Sequence, residues 1–265
     1  MKSTNQSKLI LKKSYKKNGF VVIKNFINPE IVNKIKKEIL IKIQKKNKFF
    51  YYEKTLKGLK IRRIEKISDF SKKSKSLIRS RDILNIISYL EGKKHALFKD
   101  KLNFKYPGGK GYLPHIDGHF LWRDQKGKYQ KGWKKYSNNF VNLVLPLEKT
   151  DKTNGCIYVS KKNDTKKIGK NFNQITKNLI LNNSYIQKRD LSKFKFYPIE
   201  LEIGDICVFN WKCAHMSKNN NSNRSRMIFY STYCENNKYK DVRKKYYYDK
   251  LYSKNTKAQK SLLAN

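Results

Sequence analysis

The chain has 265 residues, 38% apolar and 13% aromatic, which is enough for one domain with a full core. Its low mean hydropathy of −0.82 comes from lysine and asparagine, not from a lack of core residues. A formal net charge of +42 resembles a nucleic-acid signature, but 53 of the 62 basic residues are lysine, spread along the whole sequence. A nucleic-acid reader concentrates its charge on one face and favours arginine for bidentate contacts, so solvated lysine on outward faces is the better reading and no specific nucleic-acid partner is expected.

The charge should still draw anions to the protein at low salt and lose that pull as salt rises. Cys156, Cys207, Cys213 and Cys234 show no Cys-x-x-Cys spacing and sit among apolar neighbours, so buried free thiols are expected. Met1 to Lys13 lacks the apolar stretch of a signal peptide and no run reaches the length of a membrane span, which makes a cytoplasmic location the expectation. Oligomeric state leaves no signal.

In chain order, Gly19-Phe20-Val21-Val22-Ile23 has the pattern of a short buried strand within 15–27. Asn28-Pro29-Glu30 then supplies an N-cap, a proline at the first helical position and an acid in the first turn. Ile31, Ile35, Ile39 and Ile43 continue at helical spacing and predict a helix to about Gln44. A second helix is predicted over Asp82 to Glu91, with Ile83, Ile86, Ile87 and Leu90 inward and Gly92 closing it. From about Lys101 the period changes to two. Strands are predicted over 101–106, 111–117, 140–147, 155–160, 196–202, 206–211 and 226–234, separated by Gly, Asn and Asp clusters.

This order predicts a mainly β protein with flanking helices, a double-stranded β-helix of the jelly-roll, cupin-like kind. The expected organisation is one domain over 1–265: a helical part at 1–100, a jelly-roll core at 101–235 and a C-terminal segment at 236–265. Within the core, the lysine- and asparagine-rich stretch 161–195 reads as an insertion or lid, with weak helical periodicity around Ile175 to Leu181. The run Tyr246-Tyr247-Tyr248 is expected to pack the C-terminal segment onto the barrel.

The chemistry-bearing residues lie in the β part. His115 and Asp117 are two apart in a predicted strand, so both side chains leave one face of the sheet while Ile116 points to the other. His-x-Asp alone is a weak signal, and a lone hydrogen-bonded strand-end histidine is the ordinary reading. The segment Gly204 to His215 strengthens it: a turn, an apolar strand, then a second histidine near its end. Two imidazoles and a carboxylate on one face of a ferrous ion leave positions open for a cosubstrate and for O₂. Arg226, eleven residues after His215, begins the returning strand. A buried arginine needs an anionic partner, and the far carboxylate of 2-oxoglutarate would supply one, with Ser217 donating a hydroxyl hydrogen bond. Asn142 faces the same barrel, either as a cosubstrate contact or in a structural hydrogen bond. His119 reads equally as a substrate contact or a surface histidine, and His95 as an ordinary residue at a helix end. Trp122, Trp133 and Trp211 read as core or pocket wall.

The segment His215-x-Ser217-x-x-Asn220-x-Ser222-x-x-x-Arg226 resembles the distal motif of the phytanoyl-CoA dioxygenase family of iron and 2-oxoglutarate oxygenases. Asn18 to Val22 resembles the family's opening, Leu113-Pro114-His115-Ile116-Asp117 its proximal metal motif, and Leu147 to Cys156 its central strand pair. The resemblance spans roughly 15–235. It implies His115, Asp117 and His215 as ligands of Fe(II), with Arg226 and Ser217 on 2-oxoglutarate. It further implies oxidative decarboxylation of that cosubstrate coupled to hydroxylation of a small organic metabolite.

The chain departs from the family pattern twice. Ile116 stands where glutamine is usual, and Ser160 to Asp164 replaces a Pro-Gly-Ser-His turn. Asp117 favours hydroxylation over halogenation, which vacates that carboxylate. Lys105, Lys110, Lys161 and Lys162 near the expected pocket suit an anionic substrate, though lysine bias explains them equally. Two rivals remain at this point: a basic nucleic-acid-binding protein or nucleic-acid oxygenase, and a non-catalytic jelly-roll binding domain.

Overall fold

The computed structural model describes residues 5–43, 49–55, 58–167, 185–235 and 241–253. A seven-stranded antiparallel sheet forms its centre. The strands, in chain order, are β1 (Phe20–Ile23), β2 (Phe50–Thr55), β3 (Gly58–Glu65), β4 (His95–Lys105), β5 (Tyr112–His115), β6 (Leu121–Arg123), β7 (Tyr129–Lys131), β8 (Phe140–Pro146), β9 (Ile157–Ser160), β10 (Phe196–Ile199), β11 (Ile206–Asn210), β12 (His215–Ser217) and β13 (Arg226–Glu235). The major sheet runs β1-β11-β8-β13-β4-β3-β2, a minor sheet runs β10-β9-β12-β5, and β6 pairs with β7.

Alternation along the strands explains the layering. Val141, Leu143 and Leu145 of β8, Val208 of β11, Leu102 and Phe104 of β4, and Phe229 of β13 point outward. They bury against helices α2 (Pro29–Lys42), α4 (Lys72–Ile78, which follows the one-turn α3, Ile67–Phe70) and α5 (Arg81–Glu91), which contribute Ile35, Ile39, Ile78, Ile83 and Ile87. The alternate residues Val144, Cys207, Phe209 and Ile228 point inward and meet Ile157, Val159 and Ile199 of the minor sheet. The result is a jelly roll with helices on one outer face, as expected.

The helical signals hold in detail. The Asn28 side chain accepts from the Glu30 amide at 2.8 Å. Gly92 closes α5 at φ +77°, in the left-handed region where a side chain would be strained. Within α2, Val32 takes the inward position and Ile31 is exposed, so the buried stripe is Val32, Ile35, Ile39. All four cysteines are buried and free. Tyr246 and Tyr247 of α7 (Val242–Tyr252) are buried against Phe98 and its neighbours, and Tyr248 is exposed.

Several expectations need correction. The stretch before Gly19 forms a helix, α1 (Asn5–Asn18), and residues 50–65 form a hairpin that widens the major sheet, so 1–100 is not purely helical. Its inward residues include Arg63 and Glu65, buried charges that hide the strand alternation. His95 opens β4 instead of ending a helix, and the first of the long barrel strands starts six residues earlier than predicted. β5 ends at His115, leaving Asp117 in the following turn, and His215 begins its own strand in the minor sheet. Of 161–195, a short helix α6 (Lys162–Lys167) and a 3₁₀ turn at Lys188–Lys193 are described; the predicted periodicity at 175–181 lies outside the described residues.

Candidate active site

β12 lies between β5 and β9, and this pairing sets His215 directly opposite His115. Their ring centroids are 4.2 Å apart. The turn after β5 brings Asp117 back under them, with its Oδ2 at 3.8 Å from His215 Nε2. One ligand atom from each residue lies within 4.8 Å of the others, and all three residues are buried. Ile116 points away into a separate apolar cluster with Ile186, Phe194 and Ala214.

The imidazoles are oriented for a metal. His115 Nδ1 lies 2.7 Å from the Leu113 carbonyl, and His215 Nδ1 lies 3.1 Å from the Cys213 carbonyl. A carbonyl accepts only, so each Nδ1 carries the proton and each Nε2 keeps a lone pair facing the cluster. Burial, then the neighbouring His215, pushes His115 down to about 3, and burial also lowers His215. Burial opposes the charge of Asp117, but His215, Lys99 and His115 outweigh it and hold the carboxyl down at about 2. Two neutral imidazoles and one carboxylate at neutral pH form the donor set that suits a divalent transition metal with open positions. The residues present therefore fit iron.

Asn142, on β8, turns both ends of its amide to this cluster. Its Nδ2 donates to Asp117 Oδ2 at 2.7 Å and its Oδ1 accepts from Thr232 Oγ1 at 2.7 Å. His119 rests half-buried with Nδ1 at 2.9 Å from the Asp117 carbonyl and its ring stacked on Trp211. Trp122, Trp133 and Trp211 are all buried in one aromatic cluster.

Arg226 heads β13 and is fully buried. Its Nη1 donates to the Gly155 carbonyl at 2.5 Å, while Nε and Nη2 have no hydrogen-bond partner among the described residues. Directly across the β4–β13 ladder is Lys105, whose Nζ reaches the same Gly155 carbonyl at 3.2 Å, Ser217 Oγ at 2.8 Å and the Lys218 carbonyl at 2.5 Å. Gly155 sits at φ +76°, and a Cβ there would fall 2.9 Å from Lys105 Nζ, so a side chain would close this corner. Burial first, then the charges of Arg226 and Arg62, pulls Lys105 down to about 6. A buried guanidinium with two unpartnered donors, beside a lysine whose charge a bound anion would restore, makes a corner built for an anion.

Lys105 was named in the sequence only as one of several pocket lysines; the period-two pattern of β4 was the signal that could have singled it out, because Lys99, Lys101, Asn103 and Lys105 share the inward face. Lys110, named with it, is exposed. The cavity lined by the triad, Ser217, Tyr230, Lys99 and Lys101 has about 30 Å³ of free volume. A larger cavity of about 560 Å³ opens between α7 and the start of β4, lined by Arg243, Lys244 and Tyr247, and no triad residue faces it.

A jelly roll holding a buried two-histidine, one-carboxylate triad beside a cationic corner is the architecture of the mononuclear iron oxygenases. The sequence matches the family described as phytanoyl-CoA dioxygenase (PhyH) over residues 15–228, and the chain belongs to that family of iron- and 2-oxoglutarate-dependent dioxygenases. It is 28% identical to a 2-aminoethylphosphonate dioxygenase of the uncultured bacterium HF130_AEPn_1, over 84% of this chain and 79% of that one. It is 25% identical to a methylphosphonate hydroxylase of Gimesia maris, over 76% and 68% of the two chains. Among solved structures it shares its fold with the non-heme α-ketoglutarate-dependent epimerase SnoN of nogalamycin biosynthesis (TM-score 0.68, 13% identity, 88% of this chain and 84% of that one). Among the described residues, no helix is long and apolar enough to cross a membrane.

Proposed function

We propose that this chain hydroxylates a small, anionic organic metabolite, using Fe(II) held by His115, Asp117 and His215 and 2-oxoglutarate held by Arg226, Ser217 and Lys105. The observation that carries the reading is the buried triad, with both Nδ1 atoms engaged by carbonyls and both Nε2 lone pairs turned to the carboxylate. Bound iron would supply the activation of O₂, coupled to decarboxylation of the cosubstrate to succinate and CO₂. The chain's residues do the positioning. Asn142 holds Asp117 in its ligating rotamer through the Thr232–Asn142–Asp117 hydrogen bonds, a positioning role in place of direct cosubstrate contact. Arg226 offers two free donors to a planar carboxylate, Ser217 a hydroxyl and Lys105 a point charge. The two phosphonate-acting relatives support an anionic substrate, as do the lysines inside the barrel.

A non-catalytic binding domain would have no need of a complete triad with oriented imidazoles. We read residues 1–265 as one oxygenase domain, and the four buried free thiols support a reducing, cytoplasmic setting. The test is anaerobic titration of apoprotein with Fe(II) and then 2-oxoglutarate, followed by visible absorbance. A weak charge-transfer band that requires both additions is expected. Absence of the band together with absence of iron binding by calorimetry would overturn the reading.

A further inference from the structure

The inward face of β4 carries a second pair of cations that the cosubstrate corner does not use. Lys99 and Lys101 stand six and four residues before Lys105, on the same face of the strand, so Lys99 lies roughly 20 Å along β4 from that corner. Both line the cavity that holds His115, Asp117 and His215. Lys99 is 5% exposed, and its Nζ has no hydrogen-bond partner among the described residues. It rests 4.0 Å above the ring of Trp133, while Lys101 lies 5.6 Å from the centroid of Tyr230.

The acids near Lys99 are already engaged. Asp117 is tied to Asn142 and faces His215, and Glu65, which pairs across to Lys101 on β3, is bound by Lys250 with Arg63 alongside. A buried ammonium on an aromatic face gains some cation–π stabilisation but forgoes its hydrogen bonds to water. Burial, followed by repulsion from Lys101, pulls Lys99 well below the ordinary lysine range, with Asp117 and Glu65 opposing. An arriving anion is the group that would restore its full charge.

We propose that Lys99 and Lys101 form the substrate's anion subsite and take a compact tetrahedral oxyanion, of the phosphonate or sulfonate type, on a small molecule. This rests on the oxygenase reading above. The donor types set the class: a planar carboxylate is matched by the arginine fork at Arg226, whereas Lys99 and Lys101, with the neighbouring Arg63 held against Glu65, offer point charges that suit an oxyanion with charge on several oxygens. The ladder sets the size. Lys99 is opposite Thr232, and Thr232 is opposite Asn142, which holds Asp117, so two strand spacings, about 10 Å, separate the Lys99 backbone from that of the residue that orients the metal ligand. Lys99 and the triad line one small cavity, so only a compact molecule spans them.

The test is equilibrium binding of methylphosphonate, ethanesulfonate and the uncharged dimethyl ester of methylphosphonate to wild type, Lys99→Met, Lys101→Met and Lys105→Met. Calorimetry would be run anaerobically with Fe(II) and 2-oxoglutarate present. Wild type should bind one or both anions and not the ester. Lys99→Met should weaken the anion by roughly ten- to hundred-fold, the range for a hydrogen bond to a charged group, and leave 2-oxoglutarate affinity unchanged. Lys105→Met should do the reverse. Equal weakening of both ligands by Lys99→Met, anion affinity indifferent to Lys99 and Lys101, or binding of the ester alone would overturn the proposal. Anion binding that depends on Lys99 without any Fe(II)–2-oxoglutarate band would keep the subsite and reject the oxygenase reading, so the two fail separately.

Discussion

The two faces of β4 are both buried, and they obey opposite rules. Outward, Leu102 and Phe104 join the helix-covered core. Inward, at the intervening positions, Lys99, Asn103 and Lys105 are equally inaccessible, and Lys101 is half-buried. A strand covered on both sides ordinarily reads as a continuous apolar run. Here one face follows that rule and contributes stability, while the other buries polar and lysine side chains beside the triad at a cost to stability. Such local violation of burial logic, sustained over four alternate positions, marks where the fold serves chemistry.

The sharpest way to break this contrast is at the triad. His115→Ala or Asp117→Ala should abolish iron-dependent succinate release while far-ultraviolet circular dichroism stays that of wild type; residual turnover in either variant would remove the triad from the mechanism. Arg226→Ala comes next. Losing a buried charged partner should raise the dissociation constant for 2-oxoglutarate by about 2 kcal/mol or more, roughly thirty-fold, measured by the charge-transfer band. Wild-type affinity there would show that the corner serves another ligand.

The outer face should respond in a different currency of measurement. Leu102→Ala should lower unfolding free energy by about 2–5 kcal/mol, with metal and cosubstrate affinities retained in the folded fraction. Lys99→Met, three residues away along the same strand and on its opposite face, should leave stability level or raise it, because a buried amine with no hydrogen-bond partner among the described residues gives way to an apolar side chain. Denaturant melts of the two variants side by side would settle whether the faces are divided as described.

The smallest expected effect is on pH. Lys105 is held at about 6 by burial and by Arg226 and Arg62, against Cys156 and Glu53. Its ammonium is disfavoured in the folded apoprotein, so the unfolded chain binds more protons between that value and the ordinary lysine value near ~10.4, and this residue's contribution to stability rises with pH across that window. A carboxylate bound there favours the ammonium, so cosubstrate binding should take up a proton above pH 6 and weaken by at most about ten-fold per pH unit. Lys105→Met should flatten that slope. A profile identical to wild type would remove Lys105 from the corner.

Much of this was legible in the sequence because local rules and tertiary structure agree. Asn28-Pro29-Glu30 and Gly92 act on the nearest backbone, so they announce helix ends regardless of what packs on them. His115, Asp117 and His215 were found because metal chemistry demands particular side chains. The hairpin of β2 and β3 was not legible: Lys60, Arg62, Arg63 and Glu65 disguise its alternation, since charges fill inward as well as outward positions. The roles of Lys99 and Lys105 were concealed by abundance. With lysine at 53 positions, identity alone cannot separate a buried cation from a solvated one, and only the register of β4 against β13 does so.

β12 is three residues long, and its two ends do different things: His215 faces the triad and Ser217 bonds Lys105 at the cationic corner. Two residues of extended strand measure about 6.8 Å. On the proposed assignment the strand would act as a gauge between the metal and the anion corner, set by the backbone and not by side-chain motion. A keto diacid must match that length to touch both ends. Homologues of 2-oxoglutarate one methylene shorter or longer should then reach either the metal or the corner, but not both, and cosubstrate choice becomes a property of backbone geometry.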